Sequence, residues 1–252
     1  DLVLHGNQNL IDEYTDFFTG INYSKISLTM SATVPFQDLN DSRVEYSILC
    51  RDFNNPYNSD DGFINNGSLM INNVLVPFVN QTNSYELTTS SIVKELFGHK
   101  IKPTFNNPID TLLPDSVYAP KEIFLSVDPK IINSDTVYTY NTSDNITLKW
   151  NADFNNTKGV VISIEYDDAM TKLTGISSES SSSNNELDLI FTEDVGNFMI
   201  PPSYLSNLPA NCIAKVSILR CNFGFIGFIS PNFYKGRYLL QSSGGAYIKF
   251  AN

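Results

Sequence analysis

The densest group of metal-ligating side chains lies shortly after the first strongly alternating segments. Asp52, Asn54, Asp60 and Asp61 place carboxylate and amide oxygens in one short stretch that ends at a glycine. Closely spaced oxygen ligands are what a hard cation such as Ca²⁺ requires. The spacing differs from that of an EF-hand loop, and Asx residues beside Gly and Pro are also the usual residues of turns. We predict a plain turn, with a calcium site at these four residues as the alternative and no other cofactor.

Aromatic side chains interleaved with glycines form a second candidate site, near the C-terminus. Phe225 precedes a Ser-Pro-Asn turn, and Phe233 and Tyr234 follow it. Rings at a turn offer a large contact area to a sugar or a protein partner at a low entropic cost. Alternation along the flanking segments favours packing for most of these rings. The ligand-binding candidates are therefore Phe225, Phe233 and Tyr234, and we expect the last two to be exposed.

Groups suited to catalysis are few. The chain has two histidines, His5 and His99, and it has no glycine-flanked serine elbow, dinucleotide fingerprint or phosphate-binding loop. Among 27 Asp and Glu residues no pair stands out as the two carboxylates of a glycosidase. We predict no catalytic residues and a protein that is not an enzyme. An unrecognised glycoside hydrolase is the less favoured alternative.

The charge of the chain limits its partners. The formal net charge is −11 and only 16 Lys and Arg residues are present, scattered along the chain, so nucleic acid is not an expected partner. No apolar run approaches the ~20 residues that a membrane-spanning helix needs. The chain begins with Asp1 and not with Met, which a cleaved signal peptide or an arbitrary start of the sequence would both explain. If the protein is held at a membrane, we expect a lipid anchor in the removed segment. We therefore expect a secreted or cell-envelope location with exposure at the surface.

The cysteine pattern does not indicate a disulfide framework. Cys50, Cys212 and Cys221 are an odd, small set without metal-binding spacing. Cys212 and Cys221 differ by an odd number of positions, which predicts opposite faces of a strand. We interpret all three as small buried apolar residues.

Alternation of apolar and polar residues with a period of two dominates the chain. It predicts half-buried strands separated by short turns, which is typical of sandwiches and not of helix-covered parallel sheets. Ser90 or Ser91 can begin one short helix that Gly98 closes, and we predict at most this one. The strands are predicted at 26–34, 44–50, 69–71, 74–78, 123–127, 146–150, 160–166, 187–191, 213–219, 225–229 and 247–250.

Four prolines interrupt this pattern between residues 103 and 120. Proline restricts its own backbone and that of the preceding residue to extended conformations, which indicates either a stiff connecting segment or a crossing loop. We place a domain boundary near Tyr118. The prediction is an all-β protein of two tandem immunoglobulin-like β-sandwich domains, at residues 1–118 and 119–252.

The C-terminal half resembles known modules. The stretch Asn145–Trp150 followed by Gly159–Tyr166 resembles two strands of fibronectin type III and immunoglobulin-like domains, in which a core Trp packs against an alternating strand that ends in Tyr. Residues 145–220 are also similar to uncharacterised secreted β-sandwich proteins and lipoproteins of Bacteroidota. The resemblance implies a sandwich fold and an envelope location, and it carries over no catalytic residue.

Together these observations predict a non-enzymatic secreted or cell-surface module with a structural or adhesive role and an unknown protein or glycan partner. An accessory carbohydrate-binding surface protein, using residues 223–238 or 52–62, is the alternative.

Overall fold

The computed structural model describes residues 2–19, 24–34, 44–52, 67–82, 84–88, 90–106, 115–128, 138–173, 187–206, 208–209, 211–230 and 233–251. The strands are β1 (Leu2–Gly6), β2 (Ser24–Thr33), β3 (Glu45–Asp52), β4 (Leu69–Ile71), β5 (Val74–Val76), β6 (Phe78–Val79), β7 (Ser84–Leu87), β8 (Lys100–Ile101), β9 (Pro103–Phe105), β10 (Val117–Tyr118), β11 (Leu125–Asp128), β12 (Tyr138–Asn141), β13 (Ile146–Trp150), β14 (Val160–Tyr166), β15 (Leu187–Thr192), β16 (Asn197–Ile200), β17 (Cys212–Ser230) and β18 (Phe233–Ala251). The helices are α1 (Gln8–Thr19), α2 (Ser90–Lys94) and α3 (Asp168–Leu173), with a 3₁₀ turn at Pro202–Tyr204.

A ten-stranded sheet runs through the molecule in the order β1-β15-β14-β17-β18-β2-β3-β7-β6, and β12 also pairs with β18. Its centre is the hairpin of β17 and β18, each 19 residues long. β17 pairs with β14 near its start, whereas β18 pairs in parallel with β2 near its start and with β12 near its end. The predicted strands 213–219 and 225–229 are therefore one continuous strand.

Two hydrophobic cores lie on one face of this sheet. The C-terminal core joins the large sheet, through Ile162 and Ile218, to Leu148 of the three-stranded sheet β11-β13-β16. The N-terminal core joins Met30 and its neighbours to Ile71 of the sheet β5-β4-β9. Each half thus consists of two β-layers packed on one core. The ten-stranded sheet supplies one layer of both halves.

The opposite face of the sheet is covered by α1, which the sequence analysis missed. The prediction of at most one short helix was wrong. Leu10, Ile11, Tyr14 and Phe17 recur at helical spacing and are buried against Phe191 and Phe223 of the sheet. Asn7 caps this helix, because its side-chain oxygen accepts hydrogen bonds from the backbone N–H groups of Asn9 and Leu10 at 3.0 and 3.4 Å.

Other local predictions are confirmed. The helix α2 begins at Ser90, and the chain turns after it at Gly98, which has a positive φ of 79°. Asn72 forms the predicted hairpin turn between β4 and β5 with a φ of 53°. Cys212 and Cys221 are buried on opposite faces of the large sheet, the first in the C-terminal core and the second beneath α1.

The structure is mostly β-strand with few helices, as the alternation predicted. The division into immunoglobulin-like domains at 1–118 and 119–252 stays a prediction, and two strand pairings cross it: β18 pairs with β2, and β1 pairs with β15. No helix in the described part of the chain combines the length and the apolar character that crossing a membrane requires.

Candidate functional site

A buried ion pair lies where the two halves of the protein meet. Arg220 on β17 is fully buried, and its Nε and Nη2 donate to Oδ2 and Oδ1 of Asp194 at 2.5 and 2.9 Å. Alternation places the side chain of Arg220 on the face of the sheet that carries the two cores. A guanidinium there needs a planar, bidentate acceptor, and Asp194 supplies one from the turn between β15 and β16.

The carboxylate of Asp194 is fully satisfied. Besides Arg220, it accepts a hydrogen bond from Nε1 of Trp150 at 2.9 Å and one from Nδ2 of Asn156 at 3.2 Å. Each of its two oxygens therefore receives two donors, which is close to the full capacity of a carboxylate. This explains how two opposite charges are accommodated inside the protein.

Nη1 of Arg220 contacts the connector, by which we mean residues 119–124 between β10 and β11. Nη1 donates to the carbonyl of Lys121 at 2.9 Å, and Oγ of Ser242 on β18 donates to the same carbonyl at 2.7 Å. The connector passes so close to β18 that a Cβ added at Gly244 would lie 2.8 Å from the carbonyl oxygen of Ile123. The sheet and the connector are thus in close contact and joined by hydrogen bonds.

A second buried carboxylate holds the other side of the connector. Asp153 is fully buried and accepts hydrogen bonds from the hydroxyl of Tyr118 at 2.9 and 3.0 Å and from the backbone N–H of Lys121 at 2.9 Å. Burial, together with the hydrogen bond to Asp153, raises the pKa of Tyr118 to about 12. Tyr118 therefore stays a neutral donor throughout the physiological range. We call Arg220, Asp194, Asp153 and Tyr118 the connector clamp.

The structure pairs His5 with a buried acid. His5 on β1 forms a 3.0 Å hydrogen bond through Nε2 to Oδ1 of Asp188 on β15, and its ring stacks on Tyr204 with centroids 4.0 Å apart. The sequence analysis missed this pair because 183 positions separate its members. Parallel pairing of β1 with β15 brings them together, and the hydrogen bond links the N-terminal strand to the sheet.

An open cleft of about 1090 Å³ lies at the ends of β2 and β3, beside α2 and the connector. Oε1 of Glu122 accepts a 2.6 Å hydrogen bond from Tyr46, and burial with this bond raises the pKa of Tyr46. The phenyl group of Phe124 is half exposed. The apolar side chains of Val44 and Phe124 line the cleft together with residues that carry hydroxyl or charged groups, namely Ser31, Thr33, Glu45, Tyr46, Ser47, Thr88, Ser91, Lys94 and Glu122.

Of the three residues predicted to bind a ligand, the structure describes the side chain of Phe225. Phe225 on β17 is partly buried and packs on Phe17 of α1, with centroids 5.2 Å apart. Phe233 and Tyr234 begin β18, and their side chains lie outside the described part.

Of the calcium candidates, Asp52 ends β3 opposite Ile26 in β2. Its side chain, like all of Asn54, Asp60 and Asp61, lies outside the described residues. Both predicted sites therefore stay predictions.

Comparison with known proteins adds no relative. No family model, no curated protein and no solved structure matches this chain.

Proposed function

We propose that this chain is a non-enzymatic module of a secreted or cell-surface protein, with a structural or adhesive role. The observation that carries the proposal is the connector clamp. A module that bears load or presents a binding surface needs its two halves to keep a constant relation. Arg220 supports this constant relation, because it binds Asp194 and also donates a hydrogen bond to the connector. Its strand, β17, belongs to the sheet that runs through both halves.

The acidic groups at the centre of the molecule support a structural role. Asp194 and Asp153 are buried, and their oxygens accept hydrogen bonds from several donors each. A carboxylate whose lone pairs are occupied by donors has little capacity left to contact a substrate. These residues stabilise the fold, and the surface is left for binding.

Bead adhesion tests this proposal. Beads coated with the purified protein are passed over immobilised proteins and glycans, and the retained ligands are then analysed for chemical change. Saturable retention on unchanged ligands supports the proposal. Turnover of a ligand, or retention no greater than that of beads coated with urea-unfolded protein, contradicts it. Protease accessibility on intact cells that make the protein tests the surface location.

Carbohydrate binding in the cleft beside β2 and β3 is the second candidate. Clustered hydroxyl and charged groups can hydrogen-bond to a sugar, and the half-exposed ring of Phe124 can stack on it. Removing a ring contact worth about 1 kcal/mol lowers the affinity roughly fivefold. We expect this loss in Phe124→Ala on a glycan array, with Phe18→Ala as the control. Equal binding by the two variants would exclude the cleft.

A further inference from the structure

A pocket of about 300 Å³ opens beside the start of α1, and Asp194 of the connector clamp lies in its wall. Three segments form its wall: the helix start, the turn that follows β13, and the turn between β15 and β16. We call it the Phe154 pocket. Its principal lining residues are Asn7, Leu10, Phe154, Asn156, Glu193 and Val195.

Phe154 exposes 86% of its surface, although it lies in an ordered turn. The backbone N–H of Asn156 donates to the carbonyl of Asp153 at 2.9 Å, and that of Asn155 donates to the Asp153 side chain at 3.3 Å. Because the buried Asp153 is itself fixed by the connector, the turn holds the phenyl group outward on a rigid base. Val195, 48% exposed, adds a second apolar side chain to the same pocket. Two exposed apolar side chains thus lie at one pocket, where a partner can bury them.

The pocket carries two acceptor groups, the amide oxygen of Asn156 and the carboxylate of Glu193. Asn156 is only 7% exposed, and its Nδ2 donates to the carbonyl of Gly159 at 2.6 Å and to Asp194 at 3.2 Å. These two bonds fix the orientation of the amide, and its Oδ1 has no hydrogen-bond partner within the described residues. Arg220 neutralises Asp194, so the exposed Glu193 supplies negative charge at the pocket.

We infer that the Phe154 pocket docks a basic side chain, specifically arginine, of a protein partner. A guanidinium can stack on an aromatic ring and bind a carboxylate in its own plane. The pocket offers one group of each kind, Phe154 and Glu193. Its aliphatic stem fits against Leu10 and Val195. The net charge of −11 favours the approach of a basic partner. The inference rests on the proposed adhesive function, because it names the chemistry of the ligand.

A peptide titration tests the inference. N-acetyl-glycyl-arginyl-glycinamide is added to the ¹⁵N-labelled full chain, and amide shifts are followed by NMR. We expect saturable shifts at residues 154–157 and 193–195, with weak affinity because one side chain makes all the contacts. Phe154→Ala and Glu193→Gln should each weaken binding by about fivefold or more, since each removes one partner of the guanidinium.

Matched variants control for general effects. Phe18→Ala removes another half-exposed ring and Glu165→Gln another exposed acid, and both should bind as the wild type does. The inference is overturned if the wild type shows no shifts, if the controls weaken equally, or if a norleucine peptide binds as well as the arginine peptide. A dimer that Phe154→Ala dissociates also overturns it, because a second copy of this chain would then be the occupant.

The same variants separate this inference from the proposed function. Suppose that bead adhesion persists in Phe154→Ala and Glu193→Gln, and that the arginine peptide causes no amide shifts in the wild type. The pocket assignment then fails and the adhesive role stands. If the beads do not adhere but the arginine peptide binds at the expected residues, the pocket assignment stands and the adhesive role fails.

Discussion

At the scale of single residues, Arg220 and Asp194 show how a β-layer can contain an ion pair. The sheet buries every second side chain of β17, and Arg220 occupies a position that alternation assigns to the interior. A charge there is tolerated only if its donors are used, and Asp194 with the carbonyls of Lys121 and Asn151 uses them. Removing one partner therefore lowers the free energy of unfolding by more than the intact ion pair adds to it.

Arg220→Met tests this directly. Methionine preserves much of the volume but leaves Asp194 buried without its cation, so we expect the free energy of unfolding to fall by about 3–5 kcal/mol. Urea denaturation followed by circular dichroism measures the loss. Lys149→Met is the control, because its partner Asp128 and Lys149 are both half exposed and such pairs contribute at most about 1 kcal/mol. Similar losses in the two variants would contradict a structural role for the buried pair.

Tyr118 makes a prediction that depends on pH. Its pKa is about 12 in the folded protein, against about 10 in an unfolded chain. The unfolded chain therefore loses this proton first, and the contribution of Tyr118 to stability is present below pH ~10 and is lost as the pH rises toward ~12.

We expect Tyr118→Phe to lower the free energy of unfolding by about 1–2 kcal/mol at pH 7, because the buried Asp153 loses a donor. The difference from the wild type should shrink between about pH 10 and 12. Urea denaturation at several pH values measures both effects. Tyr166→Phe, which removes an exposed hydrogen bond to Asp168, should change stability by less than about 0.5 kcal/mol. A difference that stays constant above pH ~10 would argue against the Tyr118–Asp153 bond.

At the scale of elements, α1 covers the face of the sheet that the two small sheets leave open. Its apolar stripe fits an aromatic cluster on β15 and β17: Tyr14 lies edge-on to Phe191 at 5.4 Å, and Phe17 lies 4.5 Å from Phe223. Nζ of Lys158 lies over the Phe223 ring, 5.1 Å from its centroid, and also pairs with Glu13 of the helix. The helix is stabilised by this packing more than by its intrinsic propensity.

Two neighbouring phenylalanines on α1 differ in burial, so their substitution tests how the helix packs. Phe17 is 3% exposed and Phe18 is 42% exposed. We expect Phe17→Ala to lower the free energy of unfolding by about 3–5 kcal/mol, because it leaves a cavity beneath the helix. Phe18→Ala should cost about 1 kcal/mol or less. Thermal and urea unfolding measure both. If the two substitutions cost the same, α1 does not pack as described.

At the scale of the whole molecule, the hairpin of β17 and β18 belongs to both halves. Leu240 of β18 lies in the N-terminal core, and Ile248 of the same strand lies in the C-terminal core. Nine positions of β18 pair with β2. Each half therefore depends on one continuous hairpin, and we expect their unfolding to be coupled.

A protein fragment that ends at the predicted domain boundary tests this dependence. A fragment of residues 1–118 lacks β18, so β2 loses its parallel partner and the N-terminal core loses Leu240. We expect this fragment alone to show neither dispersed amide NMR signals nor a cooperative urea transition, whereas the full chain shows both. Cooperative unfolding of the isolated fragment would instead support two independent domains.

Much of the local structure followed from the sequence, because side-chain alternation is a local property. The strands at 26–34, 44–50, 146–150 and 160–166 correspond to β2, β3, β13 and β14. The apolar spacing from Leu10 to Phe17 was equally readable, and α1 was missed although the signal was present. The location, the partner and the two proposed ligand sites remain predictions.

The sequence by itself determined that the protein is built mainly of strands and which side chains face inward. Only the tertiary structure decided which strands are neighbours. Alternation specifies the buried face of a strand but not its partner, so the parallel pairings of β1 with β15 and of β18 with β2 had no local signal. For the same reason, Arg220–Asp194 and His5–Asp188 formed only when strands far apart in the chain came together.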